Sequence, residues 1–334
     1  MKKSVALFVS RPVFENNRIF DPDDVDDTAG ARKRWKVLRR YLGERGISLH
    51  THDYFDSLRD ADAIIVESPT RADAQALVFN LVNPRKLIFI LGEPAVIRRW
   101  NWRYLRLYSK VLAKVFVSDR SASDGDRIEW LPLPQPFDGF DINESYRFRR
   151  VKKDRFMVML RGNKVSDVAG ELYSERRRLI RYFKSDHADL FDLYGPGWND
   201  DNHPMPIYYQ NFRGYATGTV ETFAKYKFVL GMDNSSVPGL LTYDIFSAMF
   251  AGAVPVYLGA PDIAEYVPDD CFINYRDFET IDDLVEQLQI IASTSALGIY
   301  RERGESFLKS SAMERFTMEY FCRAVYKTLM AIMR

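Results

Sequence analysis

The amino-acid sequence predicts an α/β protein made of two Rossmann-like domains. Its 334 residues exceed one typical domain and suit two domains of about 150 residues each. Short apolar runs alternate with helical segments in both halves, which is typical of parallel, doubly wound sheets. Three prolines at alternate positions in residues 131–136 suit an interdomain connector. We therefore predict one domain over residues 1–135, a second over 150–310, and a final helical segment over 311–334.

The first half contains five short apolar runs that are predicted to be strands. They occupy residues 4–9, 47–52, 63–66, 86–91 and 115–118. A helix is predicted over residues 33–44, ending near Gly46. This alternation indicates a parallel sheet, and open α/β sheets bind their ligands at the carboxyl ends of the strands.

The second half repeats the alternation. Strands are predicted at 156–160, 190–194, 227–232 and 253–258, and helices at 171–184, 242–251, 278–291 and 313–333. Residues 226–261 form the clearest unit, which reads as strand, polar loop, helix and strand. Thr242 is suited to cap the N-terminus of its helix, and Gly252 follows the C-terminus. The free N–H groups at that N-terminus are predicted to point above the strand ends.

Composition and charge argue against several classes of protein. The net charge is +1, so no overall field favours a nucleic acid partner. Two cysteines provide neither a disulfide framework nor a metal motif, and they favour a reducing compartment. The apolar run near the N-terminus is too short for a secretory signal, and no run approaches the roughly 20 residues of a membrane span. We therefore expect a cytoplasmic protein.

The final predicted helix has an apolar side and a basic side. We expect the apolar side to pack on the first domain. The basic residues Arg323, Lys327 and Arg334 offer an alternative, which is a peripheral contact with the inner face of an anionic membrane. The sequence leaves the oligomeric state open.

Residues 226–261 resemble the signature region of glycosyltransferase family 10, the α-1,3/1,4-fucosyltransferases. The matching residues, in the family's order and spacing, are Tyr226-Lys227-Phe228, Asp233-Asn234-Ser235, Thr242, Ala251-Gly252-Ala253-Val254-Pro255-Val256 and Gly259-Ala260-Pro261. The resemblance implies a GT-B architecture in which the second domain holds the nucleotide-sugar donor and the first holds the acceptor. It also implies an inverting transfer of fucose from GDP-fucose to a glycan hydroxyl. Vertebrate members carry an N-terminal membrane anchor. Because no anchor is expected in this sequence, it is predicted to resemble the bacterial type.

The resemblance further implies that no metal or other cofactor is required. In this family protein cations and helix dipoles act on the diphosphate in place of a metal. The D-x-D patterns at residues 60–62 and 124–126 do not follow a clear central strand. His50 and His52 share a strand face without an obvious third ligand.

Glu93 is the predicted general base. It follows a predicted strand at its carboxyl end, and in the family a glutamate at the end of the corresponding strand is the proposed base. A carboxylate in a partly dry pocket suits the removal of a proton from an acceptor hydroxyl. Glu67 ends another strand and is the reserve candidate, and Trp100 and Trp102 are predicted on the acceptor side. The alternative for Glu93 is a turn carboxylate beside Pro94.

The donor side is predicted around the loops and one helix of the second domain. In the family an arginine on the helix predicted at 171–184 contacts the donor diphosphate, and Arg176 or Arg177 is the best match. The planar guanidinium suits phosphate oxygens, although a solvated basic face is the alternative for some arginines of this helix. The other predicted donor residues are Asn163, Asp233, Asn234, Ser235, Thr242, Tyr243 and Asp244.

The sequence departs from the family at the centre of the signature region. Where the family has Y-x-T-E-K, Leu240 replaces the tyrosine, Tyr243 the glutamate credited with the ribose, and Asp244 the lysine credited with the phosphate. At ~4 Å and an effective dielectric of ~20, one unit-charge contact is worth about 4 kcal/mol, here with an adverse sign.

Several interpretations of this departure stay open. In the first interpretation the donor differs from GDP-fucose. In the second, arginines elsewhere in the chain hold the diphosphate of GDP-fucose. A third interpretation is a non-catalytic homologue that binds a sugar nucleotide or glycan, or serves as a partner subunit. A metal-dependent transferase, or another α/β nucleotide enzyme, is the remaining alternative.

Overall fold

The structure is a computed structural model that describes residues 3–21, 32–79, 81–136, 142–185 and 187–334. The chain divides into two compact units. The first comprises Met1–Asp138 together with Arg315–Arg334, and the second comprises Gly139–Glu314. The C-terminal segment therefore counts with the first unit, although the whole second unit separates the two in sequence.

The first unit is built on a six-stranded parallel sheet with the order β2-β1-β3-β4-β5-β6. Its strands are β1 (Lys3–Phe8), β2 (Ile47–Thr51), β3 (Ala63–Glu67), β4 (Leu87–Leu91), β5 (Lys114–Val117) and β6 (Ile128–Trp130). Every residue of β4 is buried. Helices cover both faces of such a strand, which explains why its sequence is a continuous apolar run without alternation.

Helices flank both faces of this sheet. The N-terminal part of the chain supplies α1 (Lys33–Gly43), α2 (Arg71–Phe79), α3 (Ala95–Arg103) and α4 (Leu105–Val111). On one face, Trp35 and Leu38 of α1 pack against β1 and β2. On the other face, Leu105 and Tyr108 of α4 pack against β3, β4 and β5.

The second unit contains a five-stranded parallel sheet with the order β11-β10-β9-β7-β8. Its strands are β7 (Arg155–Leu160), β8 (Phe191–Tyr194), β9 (Tyr226–Met232), β10 (Val254–Leu258) and β11 (Ile273–Asn274). Its helices are α5 (Ile142–Arg149), α6 (Tyr173–Ser185), α7 (Thr219–Phe223), α8 (Tyr243–Phe250), α9 (Ile281–Ser293) and α10 (Ala296–Leu308). Both units are thus Rossmann-like, as the sequence predicted.

The last helix, α11 (Met318–Ile332), begins later than predicted because residues Ser311–Phe316 form a 3₁₀ helix. Thr317 caps it by accepting a hydrogen bond from the Tyr320 N–H at 3.2 Å. Its apolar side is buried in the first unit, where the rings of Phe321 and Trp35 lie 5.8 Å apart.

The packing of the apolar side leaves the basic side of the final helix exposed, and a peripheral membrane contact through that side stays a prediction. The apolar side of this helix is covered by α1 and the sheet. Arg323 and Lys327 are exposed on its other side. Among the described residues, no helix is long and apolar enough to cross a membrane.

Candidate active site

The second unit has a topological switch point between β7 and β9. These strands are neighbours in the sheet, and the chain leaves β7 toward β8 on one side before it returns to β9 on the other. Ligands of open α/β sheets bind in the crevice at this point, outside the carboxyl ends of the strands. The loops that begin there are Arg161-Gly162-Asn163 after β7 and Asp233-Asn234-Ser235 after β9.

Asp233 is the buried centre of the switch-point loops, with 1% of its surface exposed. Its carboxylate accepts a hydrogen bond from the Tyr257 hydroxyl at 2.6 Å and a second from the Thr242 hydroxyl. Burial raises the pKa of the Asp233 carboxyl to about 6, in opposition to these hydrogen bonds. The carboxylate therefore ties the loop after β9 to β10 and to the start of α8, and we assign it a positioning role.

Gly259 is the only residue type that fits beside this centre. A Cβ atom at position 259 would lie 2.1 Å from Asp233 Oδ2 and 2.2 Å from the Tyr257 hydroxyl oxygen. The Tyr257 hydroxyl also accepts a hydrogen bond from the Ala260 N–H at 2.8 Å. The glycine that ends β10 is therefore required by the close approach of a buried carboxylate and phenol.

Asp244 and Arg161 form an ion pair beside Asp233. Asp244 Oδ2 lies 2.8 Å from Arg161 Nη2, and 6% of the Asp244 side chain is exposed against 23% for Arg161. Arg161 also donates to the Thr242 hydroxyl at 2.9 Å and to the Met232 carbonyl at 3.2 Å. Burial raises the pKa of the Asp244 carboxyl, while the charges of Arg161 and Arg176 lower it.

Thr242 occupies the N-cap position of α8, as predicted, but its side chain makes no capping hydrogen bond within the described residues. Its hydroxyl is instead engaged by Asp233 and Arg161. Thr242 therefore does not supply the usual side-chain N-cap hydrogen bond to α8. Tyr243 follows it and is half-buried.

Arg176 is almost completely buried, with 1% of its surface exposed. It donates to the carbonyls of Gly162 at 2.9 Å, Met232 at 3.1 Å and Asp233 at 3.2 Å. Desolvation lowers the pKa of the guanidinium to about 9, which leaves it charged at neutral pH. Arg176 is thus a clamp that holds the carboxyl ends of β7 and β9 together.

Arg177 and Asn163 are also engaged within the second unit. Arg177 is 5% exposed and donates to the Lys164 carbonyl and to the Ser174 hydroxyl. The Asn163 side-chain amide donates to the carbonyls of Gly197 and Met205 at 3.1 and 3.0 Å. Its Oδ1 is buried and accepts no hydrogen bond from the described residues.

Arg276 is an exposed cation at the same edge of the sheet. Its guanidinium donates to the Gly259 carbonyl at 2.7 Å and to the Ser236 hydroxyl at 3.0 Å, which places it beside the loops after β10 and β9. Arg276 was not predicted from the sequence, because it follows the two-residue strand β11, which is too short for a periodicity signal. Arg161 was also not predicted as a site residue, although it is the first residue after β7, a position at which ligand contacts are expected.

In the first unit, Glu93 lies just after β4 and Glu67 ends β3. Both oxygens of Glu67 are engaged, one by Arg34 and the other by the Trp35 indole N–H at 3.1 Å. Glu93 accepts from Arg98 Nε at 3.0 Å, and 42% of its side chain is exposed. Of the two predicted carboxylates, Glu93 is therefore the one with the more accessible side chain.

The two predicted acceptor-side tryptophans lie in different surroundings. The Trp102 indole N–H donates to the Glu93 backbone carbonyl at 3.0 Å, so Trp102 lies beside the predicted base. The Trp100 ring lies 5.2 Å from the Tyr104 ring and 6.0 Å from the Tyr108 ring, in the helical layer of the first unit.

A sequence model described as glycosyltransferase family 10 (fucosyltransferase), C-terminal, matches residues 163–327. This match covers just under half of the chain, 165 of 334 residues, and makes this part similar to glycosyltransferase family 10. Alpha-(1,3)-fucosyltransferase 4 of Homo sapiens is 34% identical over 137 residues, which cover 39% of this chain and 23% of that protein. The chain thus spans about a quarter of the length of this relative.

Solved glycosyltransferase structures share the whole fold. An alpha1,3-fucosyltransferase with GDP matches with a TM-score of 0.56 at 15% identity. The match covers 98% of this chain and 89% of the fucosyltransferase chain. An alpha-glucosyltransferase in complex with UDP and a 13-mer DNA has a TM-score of 0.60 at 12% identity and covers 98% and 99%. At these identities the likeness shows the fold alone, which is of the GT-B type.

Residues that match the family motif lie at the centre of the candidate site. The matching residues Asp233, Thr242 and Gly259 form the buried centre, so the shared part of the family 10 signature builds the loops of the site. Asp244, which stands in place of the family lysine, was expected to turn an adverse charge toward a diphosphate. That expectation is corrected, because its carboxylate is buried and its charge is balanced by Arg161.

Proposed function

We propose that this chain is an inverting, metal-independent glycosyltransferase. It transfers a sugar, with fucose from GDP-fucose as the first candidate, onto a hydroxyl of a glycan acceptor. The observation that carries the proposal is the family 10 switch point, where a buried polar centre holds the loops and Arg161 and Arg276 lie at the carboxyl ends of the strands. The names of the human relative and of the GDP-bound structure support fucose and guanosine diphosphate.

The diphosphate contacts are proposed for Arg161 and Arg276. Guanidinium groups bind phosphate oxygens through charge-assisted hydrogen bonds, and both side chains retain exposed surface in this structure. The N–H groups at the start of α8 favour an anion in the same place. Arg176 and Asp233 hold the strand ends, Arg177 holds the Lys164 backbone, and Asn163, Asn234, Ser235 and Tyr243 remain donor-side proposals.

Glu93 is proposed as the general base. Its carboxylate accepts the proton of the acceptor hydroxyl while the hydroxyl oxygen attacks the anomeric carbon, and the nucleoside diphosphate leaves from the opposite face of the sugar. The transition state has oxocarbenium character, as in glycoside hydrolysis. Positive groups of the protein stabilise the charge that develops on the leaving diphosphate. The free, buried cysteines Cys271 and Cys322 suit action in a reducing, cytoplasmic compartment.

The experiment that tests the proposal is an assay of donor hydrolysis over a panel of nucleotide sugars with and without EDTA. We expect turnover of GDP-fucose that EDTA does not change. Turnover that EDTA abolishes would contradict metal independence, and nucleotide binding without turnover would show a non-catalytic homologue. Turnover of a UDP-sugar instead would support a second candidate, which the replacement of the family glutamate by Tyr243 and the UDP-bound structural neighbour favour.

Replacement of Arg276 by glutamine should weaken donor binding without unfolding the protein. The side chain is exposed and contacts a hydroxyl and a carbonyl, so its loss leaves no buried charge unpaired. A charge-assisted hydrogen bond is worth about 1.5–3 kcal/mol, so we expect the Kd for GDP to rise roughly 10- to 100-fold. Calorimetric titration with GDP measures this.

Arg178→Gln is the matched control for Arg276→Gln. Arg178 is an exposed arginine of the same unit that pairs with Glu175 on α6. We expect it to leave the Kd for GDP unchanged. Equal affinities of the wild type and Arg276→Gln would remove Arg276 from the donor site.

A further inference from the structure

The segment of α3 and α4 carries charge of one sign. Between Pro94 and Ser118 the chain has six basic residues and no acidic residue, whereas the whole protein has 47 basic and 46 acidic residues. Five of the six are exposed, namely Arg98, Arg99, Arg103, Arg106 and Lys110. This part of the first unit is therefore a local cationic surface on a nearly neutral protein.

Exposed apolar side chains lie beside these cations. Leu107 and Val111 are 53% and 38% exposed on one face of α4, and the N-cap residue Tyr104, which is 37% exposed, precedes Leu107 by three residues. Arg103, Arg106 and Lys110 repeat the same spacing one position earlier, so a cationic stripe runs alongside the apolar one. Basic residues next to exposed apolar and aromatic ones are typical of helices that lie in a membrane interface.

A groove continues this apolar stripe toward the sheet. It has a volume of about 570 Å³ and lies between α2, α4 and β4. Most of its lining is apolar, and Arg71 and Arg103 are the charged residues among the described lining. Its principal apolar residues are Leu77, Val82, Phe89, Trp100, Leu107 and Val111.

We propose that this surface of α4, with its groove, docks the protein on an anionic phospholipid membrane. Arg103, Arg106 and Lys110 contact lipid phosphates, while Tyr104, Leu107 and Val111 enter the boundary of the acyl chains. The charge of one sign favours this occupant over a second copy of the chain, whose own cationic stripe would oppose it. The C-terminal helix α11 lacks such a surface, because its apolar side is buried. The proposal does not depend on the transferase activity.

Vesicle flotation of the full chain, without any donor, tests the proposal. We expect binding to phosphatidylcholine vesicles that contain roughly 30% phosphatidylglycerol, and at least about tenfold weaker binding to pure phosphatidylcholine. The double variant R103E/R106E should bind the anionic vesicles at least about tenfold more weakly than the wild type. The matched control R323E/K327E makes the same change of charge on α11 and should keep it.

A second measurement covers the case in which R103E/R106E does not fold. Brominated acyl chains quench nearby tryptophans, so the fluorescence of the wild type should fall on anionic vesicles and fall less in Trp100→Phe. Equal binding to neutral vesicles, an equal loss in R323E/K327E, or quenching that Trp100→Phe leaves unchanged would overturn the proposal. So would a dimer that Leu107→Ser dissociates, since this surface would then bind a second copy.

Discussion

Glu93→Gln should lower kcat by about 10²- to 10⁴-fold while leaving donor affinity within a factor of two or so. The substitution keeps the size of the side chain and removes the ability to accept the proton of the acceptor. Because 42% of the Glu93 side chain is exposed and it pairs with the exposed Arg98, the folded state should tolerate the change. Steady-state transfer with a saturating acceptor, together with GDP titration, measures the two effects.

Glu67→Gln is the matched control for Glu93. Glu67 also lies at the end of a strand of the same sheet, but both of its oxygens are engaged by Arg34 and Trp35. We expect it to lower the melting temperature, because it weakens a partly buried ion pair, and to leave kcat nearly unchanged. The assignment of the base is wrong if Glu67→Gln abolishes turnover and Glu93→Gln retains it.

Restoring the family lysine at position 244 should destabilise this protein. Asp244→Lys removes the partner of Arg161 and places a second cation in a site where 6% of the side chain is exposed. The nearby Arg176 adds a third positive charge to the same buried region. Breaking a buried pair costs about 3–5 kcal/mol, so we expect the free energy of unfolding to fall by at least about 3 kcal/mol. Denaturant unfolding measures the difference.

Two further variants separate charge from shape at this position. Asp244→Asn should cost less than Asp244→Lys, because it leaves one unpaired cation rather than adding another. Tyr243→Glu restores the neighbouring family residue at a half-buried position and should change stability little. A lysine variant as stable as the wild type would show that Asp244 and Arg161 do not depend on each other.

The fold could be predicted from the sequence because its strands are continuous apolar runs with turn residues at their ends. β4 and β9 lie within a residue of their predicted limits for this reason. β6 and β11 were missed because three and two residues are too few to show any periodicity. The helices α2, α3, α4, α5, α7 and α10 were not predicted individually; at α3 the N-cap residue Pro94 makes no side-chain capping hydrogen bond and Arg98 interrupts the helical geometry.

The candidate site was predicted less completely, because the pairing of charged side chains is not visible in a sequence. Asp233, Thr242 and Asp244 were found by position, but nothing in the chain order reveals that Arg161 neutralises Asp244 across 83 residues. Burial was equally hidden. The sequence could not distinguish Arg176, which is enclosed, from its neighbour Arg178, which is exposed and faces Glu175.

The buried position of Arg176 has a consequence for attempts to alter the proposed selectivity for a sugar donor. The Arg176 guanidinium donates to three carbonyls at the ends of β7 and β9. The shape of the crevice therefore depends on a buried residue that does not contact the substrate. Mutational libraries for donor selectivity should therefore leave Arg176, Asp233, Tyr257 and Gly259 unchanged. Such libraries should vary half-buried positions such as Asn234 and Tyr243, where selectivity can change while the buried hydrogen bonds of the crevice are kept.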